Sequence, residues 1–127
     1  MDLTPEFQNH RRTILVVDDD PAVLQFVSGL LVERYTVLTA NNGAGALQQS
    51  RDRQGDIDLL LSDFVMPGMN GIELATAMTQ ERPGLKVLLM SGFSGGMLVL
   101  NEGWHFLPKP FIPSQLRALI SGLVSPK

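Results

Sequence analysis

Apolar residues along the chain fall into short unbroken runs that alternate with longer stretches of helical spacing. Thr13 to Val17 is β-branched or apolar throughout and carries no charge, which suits a strand buried on both faces rather than one lying half in water. Asp18, Asp19 and Asp20 end it. Pro21 then occupies a favourable first helical position, and Val23, Phe26, Val27, Leu30 and Leu31 follow at the spacing of one helix face. The couplet recurs, with Tyr35 to Ala40 as a strand and Ala44 to Arg53 as a helix opened by Asn41, Asn42 and Gly43. Ile57 to Ser62 is a third strand, closed by Asp63. After a loop containing Met66, Pro67, Gly68 and Met69, Asn70 caps a helix to about Gln80, with Leu74, Ala75 and Met78 inward. Pro83 and Gly84 stop it, Leu85 to Met90 is a fourth strand, and Ser91 to Gly96 is a loop of mostly small residues. His105 to Leu107 forms a short fifth strand ahead of Pro108. Pro113 opens a last helix with Leu116, Leu119, Ile120 and Leu123 inward. Strands alternating with helices predict an α/β fold, a doubly wound five-stranded parallel sheet covered on both faces. The weak couplet is Gly95 to Gly103, which must hold the fourth helix with three Gly and an apolar run lacking a polar face. A short or irregular fourth helix is expected there.

Composition narrows the classes. The chain has 127 residues, 10 Lys plus Arg against 13 Asp plus Glu, no Cys, 44% hydrophobic and 18% charged residues. This suits one globular domain with its own core and excludes disulfide scaffolds and thiolate metal sites. A formal net charge of -3 without a basic patch argues against direct nucleic-acid binding. No apolar stretch approaches the roughly 18 residues of a membrane span, so no membrane insertion is expected. The first dozen residues lack a signal peptide's apolar core, and the expected localisation is cytoplasmic. Residues 1–12 read as a leader or linker, 13–124 as the folded domain and 125–127 as a tail.

In such a sheet the chemistry belongs at the carboxyl ends of the strands. The first strand ends in Asp18 and Asp19, the third in Asp63, the fourth in Ser91, and Lys109 follows the fifth. Each alone is ordinary: acidic residues favour helix starts, Ser beside Gly is loop chemistry, and a Lys between Pro108 and Pro110 is a surface charge. Together they converge on one rim. Carboxylates crowded in one crevice repel each other and recruit a cation, and an all-oxygen ligand set favours Mg²⁺. A carboxylate beside Mg²⁺, with a Lys ammonium and a hydroxyl aimed at the same spot, suits an incoming phosphoryl group and formation of an acyl phosphate on Asp.

Four separated segments, Ile14 to Pro21 (ILVVDDDP), Leu60 to Gly71 (LLSDFVMPGMNG), Val87 to Gly92 (VLLMSG) and Phe106 to Phe111 (FLPKPF), resemble in order the receiver domain of two-component response regulators. The resemblance covers about Thr13 to Val124 and implies a flavodoxin-like architecture. It implies that Asp63 is the phosphoacceptor, taking a phosphoryl group from a histidine kinase or a histidine phosphotransfer protein. Asp19 and Asp63 would ligate Mg²⁺ directly, with the backbone carbonyl of Val65 as a third ligand and Asp18 acting mainly through water. Lys109 would pair with the phosphoryl oxygens, Ser91 would be drawn toward them, and Phe106 would hold the aromatic switch position. The Lys109 to Pro110 bond is often cis in the family. The resemblance implies a phosphoacceptor switch that assists its own phosphorylation and dephosphorylation rather than an enzyme acting on a separate substrate.

Departures from the family pattern refine these expectations. Seventeen residues separate Ser91 from Lys109, a few short of the common length. With the shortage in the weak couplet, a monomer is expected. Val65 and Phe93 correspond to positions flanking the path of the hydrolytic water, and as apolar residues they imply slow self-dephosphorylation. About 16 residues follow Phe111, room for one helix and not for a DNA-binding helix-turn-helix. The expected parent is then a single-domain regulator, or a hybrid histidine kinase or other multidomain protein whose receiver module this is. Two other readings stay open. Asp18 and Asp20 have the Asp-x-Asp spacing of haloacid dehalogenase-like phosphatases, although no carboxylate follows Lys109. A receiver-like binding module would work without phosphorylation. His10 and His105 lie in no ligand spacing, and Trp104 reads as packing at the fifth strand.

Overall fold

The structure, a computed structural model, describes residues 11–92 and 104–124. Strand β1 (Thr13–Val17) is buried along its whole length, as its uncharged run requires. It is followed by α1 (Pro21–Leu31), β2 (Thr36–Ala40), α2 (Gly43–Asp52), β3 (Leu59–Asp63), α3 (Gly71–Glu81), β4 (Lys86–Ser91), β5 (Trp104–Pro108) and α4 (Pro113–Leu123). The five strands form one sheet in the order β2-β1-β3-β4-β5, and every pairing is parallel. The doubly wound α/β expectation holds. The expected short or irregular fourth helix, with Phe93, Gly95 and Gly96, lies outside the described residues, as do His10 and residues 125–127.

Successive side chains of each strand point to opposite faces, so each strand feeds two cores. Leu15, Val17, Leu60, Val87 and Leu89 pack with Ala46 and Leu47 of α2 and with Leu74, Ala75 and Met78 of α3. Ile14, Val16, Leu59, Leu61, Leu88 and Met90 pack on the opposite face with Val27 and Leu31 of α1 and with Leu116 and Ile120 of α4. Trp104 is buried in the first of these cores, as its packing role anticipates.

Helix starts follow local chemistry. Asp20 caps α1 by accepting from the Ala22 N–H at 2.9 Å, and Asn42 caps α2 by accepting from the Gly45 N–H at 2.6 Å. Asn70 and Glu73 form a reciprocal capping box at α3, with 2.8 and 2.9 Å bonds. One inward assignment fails: Phe26 is 51% exposed. The stripe of α1 that meets the sheet is centred on Val27, with Val23, Leu24, Leu30 and Leu31 to either side. At about 100° per residue, Phe26 falls on the flank of that stripe.

Candidate functional site

Strand order reverses between β1 and β3, and the chain leaves both strands at the same end of the sheet. Asp18 and Asp19 follow β1 directly, and Asp63 is the last residue of β3. One carboxylate oxygen from each of Asp18, Asp19 and Asp63 lies within 4.8 Å of the others. Lys109, the first residue beyond β5, reaches into this cluster: its Nζ is 3.1 Å from Asp63 Oδ1 and 3.5 Å from Asp18 Oδ2. Its backbone N–H donates to the Ser91 carbonyl at 2.7 Å, which ties the lysine to the end of β4. The Lys109 to Pro110 peptide bond is cis. Ser91 is buried and follows Met90, the register partner of Asp63.

The carboxylates have unequal surroundings. Asp18 is 1% exposed, and its Oδ1 accepts from the Asp20 N–H at 2.9 Å. Burial is the largest influence on it and, with the Asp63 charge, raises its pKa above the ordinary carboxylate value, against the Asp20 bond and the Lys109 charge. The Asp63 side chain is 13% exposed, and Asp19 is open to solvent. For Lys109, burial works to lower the pKa, but the bond to Asp63 and the charges of Asp18 and Asp63 outweigh it and raise the value. The ammonium is therefore firmly charged, held between the carboxylates of Asp63 and Asp18. Of these two carboxylates, Asp63 is the more open to an incoming group, and Asp18 is closed off by its burial.

Val65, two residues beyond Asp63, is 62% exposed. Phe106 pairs in register with Leu89 and is half-buried against the core shared with α2 and α3. What holds Asp63 in place leaves no mark in the hydrophobic pattern. A Cβ built on Gly71 would sit 2.5 Å from the Asp63 carbonyl oxygen, so only glycine lets the start of α3 approach β3 this closely. The Gly71 N–H donates to the Phe64 carbonyl at 2.9 Å, and the Phe64 N–H to Met90 at 2.7 Å. Gly71 was visible only as turn chemistry, because nothing local marks a contact with a strand several residues upstream. Gly68, with φ 77, supplies the left-handed turn between them.

With this geometry in view, residues 14–121 match the family described as the response regulator receiver domain. The chain belongs to that family. It is 33% identical over 117 residues to the putative two-component response regulator ARR21 of Arabidopsis thaliana, covering 90% of this chain and 19% of that protein. It is 32% identical over 117 residues to the sensor kinase CckA of Brucella abortus, covering 88% of this chain and 12% of that protein. The chain thus spans less than a fifth of either relative. Among solved structures, the response regulator protein TrrA of Thermotoga maritima, in complex with Mg²⁺ and BeF, superposes with a TM-score of 0.76. The two share 29% identity, with 89% of this chain and 99% of that one covered. The receiver is a phosphoacceptor signalling module of two-component systems, with an acidic pocket of the kind that binds Mg²⁺. No described helix is long and apolar enough to cross a membrane.

Proposed function

We propose that this receiver takes a phosphoryl group onto Asp63 from a phosphohistidine of a histidine kinase or phosphotransfer protein, and that the resulting acyl phosphate switches its conformation. The observation that carries this reading is the Lys109 ammonium 3.1 Å from Asp63 Oδ1, inside a cluster of three carboxylates. Asp63 Oδ attacks phosphorus as the P–N bond to imidazole breaks, and the imidazole leaves with the electron pair and is then protonated. Lys109 is positioned to pass from the carboxylate to the phosphoryl oxygens, a charge-assisted contact present only once the group has arrived.

The donor set is hard, anionic and all oxygen, which fits Mg²⁺. Asp19, Asp63 and the Val65 carbonyl would hold it, with Asp18 acting mainly through water. When bound, the cation neutralises charge on the incoming phosphoryl oxygens. The Mg²⁺ and BeF in the TrrA structure support this assignment by family likeness.

Ser91, buried at the end of β4, is the hydroxyl that would turn toward the phosphoryl oxygens, and Phe106 the aromatic that would follow into the space this opens. The switch shifts only as far as the phosphoryl group binds the active arrangement better. The domain spans 13–124 in this reading, as a monomer in the cytoplasm. The likeness to a sensor kinase supports a hybrid histidine kinase as parent, with a single-domain regulator as the other form. With Val65 and Phe93 unable to orient a water, the acyl phosphate is expected to persist. A lifetime of seconds that Val65→Asn leaves unchanged would refute that part.

The deciding experiment is intact-protein mass after incubation with Mg²⁺ and acetyl phosphate, comparing wild type, Asp63→Asn and Asp18→Asn. An Mg²⁺-dependent adduct abolished by Asp63→Asn is the expected result. An adduct that survives Asp63→Asn and is lost with Asp18→Asn would replace this reading with a phosphatase-like one. No adduct with acetyl phosphate or with a phosphorylated kinase would leave a binding module.

A further inference from the structure

The loop that follows Asp63 is held at a second point besides Gly71. Met69 sits against Gly43, the buried first residue of α2: a Cβ built on Gly43 would lie 2.8 Å from Met69 Sδ, 2.9 Å from its Cβ and 3.0 Å from its Cγ. The sulfur can swing aside by rotation of the side chain, but the Met69 Cβ is fixed to the loop backbone. A larger residue at position 43 must therefore move the loop or the start of the helix. Among the described glycines only Gly68 has a positive φ, so glycine at 43 answers to space and not to backbone conformation.

The turn that carries Gly43 also grips the other acidic arm. Val17, the last residue of β1, pairs in register with Ala40, and the Ala40 carbonyl accepts from the Asp18 N–H at 3.3 Å. Asn42 then caps α2, and Gly43 meets Met69. The turn from Ala40 to Gly43 thus touches the Asp18 arm on one side and the Asp63 loop on the other. These are the two arms whose carboxylate oxygens lie within 4.8 Å of one another.

The Met69 end is backed by packing. With Phe64 and Ile72 it lies against the core that α2 and α3 share with the sheet, where Met66 of the same loop is buried. Val65 is largely in solvent and adds no anchor of this kind. A packed interior yields little, so a push at Met69 is passed along the loop rather than absorbed.

We propose that Met69, seated on Gly43, is a positioning residue for the acidic pocket: the β2–α2 turn braces the Asp63 loop against the Asp18 arm and so sets how tightly the pocket holds a divalent cation. Met69 acts through the place its loop gives to Asp63 and Val65. The proposal rests on the reading of this pocket as an Mg²⁺ site.

The test is calorimetric titration of Mg²⁺ into the full chain, without phosphodonor, for wild type, Gly43→Ala, Met69→Gly, the double variant and Arg82→Ala, with melting midpoints in chelator measured alongside. Gly43→Ala should weaken Mg²⁺ binding about tenfold, the scale of disturbing a group that supports metal ligands. Met69→Gly, which removes the brace, should weaken it too. Because Met69→Gly takes away all three atoms that a Cβ at position 43 would meet, adding Gly43→Ala to it should change the affinity no further. Arg82→Ala lowers stability at the far ends of α2 and α3 and should leave Mg²⁺ affinity at the wild-type value, which separates bracing from stability alone. Unchanged affinity in Gly43→Ala or, should that chain not fold, in Met69→Gly would overturn the proposal. So would an equal effect of Gly43→Ala with and without Met69. Wild type that takes up no Mg²⁺ would overturn the Mg²⁺ reading itself, whereas normal wild-type binding with unchanged variants removes only the brace.

Discussion

Asp18 is where the cost of the acidic pocket is concentrated. Burial raises its pKa above 3.8, so between that value and the folded-state pKa the folded chain binds more protons than the unfolded one. The stability Asp18 contributes therefore falls as pH rises through this window and stays reduced above it. Lys109 works in the opposite sense: with its pKa raised above 10.5, its contribution is fully present below that value and is lost as pH climbs through the folded-state pKa. In chelator, Asp18→Asn should be more stable than wild type at pH 7 by about 1 kcal/mol. The gap should shrink on acidification toward pH 4, as read by urea denaturation at a series of pH values. A variant equal to wild type across the range would refute the assignment of strain to Asp18. Replacing Lys109 by Ala should slow adduct formation from acetyl phosphate by about a hundredfold, the scale of one lost electrostatic stabiliser. Single-turnover rates would measure this. Several of these residues were legible in advance because strand ends are marked by an abrupt change from apolar to acidic. Which carboxylate would be buried was not, since that depends on what packs over it.

Two contacts between different elements hold the site's supporting face together. The first is the approach of α3 to β3 at Gly71. Gly71→Ala should cost about 1–3 kcal/mol, since its Cβ meets backbone rather than a movable side chain. The same change should slow phosphorylation by displacing Asp63, and a variant of normal stability and rate would count against that coupling. The second is Arg82, which terminates α3. Its guanidinium donates to Ser50 Oγ at 2.9 Å and to the carbonyls of Ser50, Gly55 and Arg53 at 2.8, 3.1 and 3.1 Å. These bonds close the C-terminal ends of α2 and α3 against each other, and the Arg51–Glu81 pair at 2.8 Å lies on the same seam. Arg82→Ala should lower the denaturation midpoint by a few degrees, about 1–2 kcal/mol, while leaving the adduct rate unchanged. Thermal melts alongside the mass assay separate the two effects. Neither contact has a sequence signature: Gly71 looks like a turn residue and Arg82 like a solvated charge before Pro83.

For the molecule as a whole, the reversal of strand order between β1 and β3 brings the acids together, and the two cores hold the strands in that register. Crowding three carboxylates at one end is unfavourable without a counterion, so Mg²⁺ should stabilise the folded chain by linkage. At a concentration one hundred times the dissociation constant the gain is about 2.7 kcal/mol. Melting curves with and without Mg²⁺ should show it in wild type, and Asp19→Asn should weaken it. Equal midpoints at all Mg²⁺ concentrations would remove Mg²⁺ from the account of this pocket.

Periodicity determined the elements, since burial on both faces writes an unbroken apolar run and burial on one helix face writes a repeat every three to four residues. That information is local and survives in the sequence. It also placed Asp18, Asp19, Asp63, Ser91 and Lys109 at strand ends, and hence on one rim. Periodicity put Phe26 on the buried face of α1, but packing against the sheet selected a narrower stripe and left that ring in solvent. Tertiary structure alone decided the burial of Asp18, the fit of Gly71 on the Asp63 carbonyl, the four acceptors of Arg82 and the seat of Met69 on Gly43. Each joins groups on different elements, and which group reaches which partner is set only once the layers have packed.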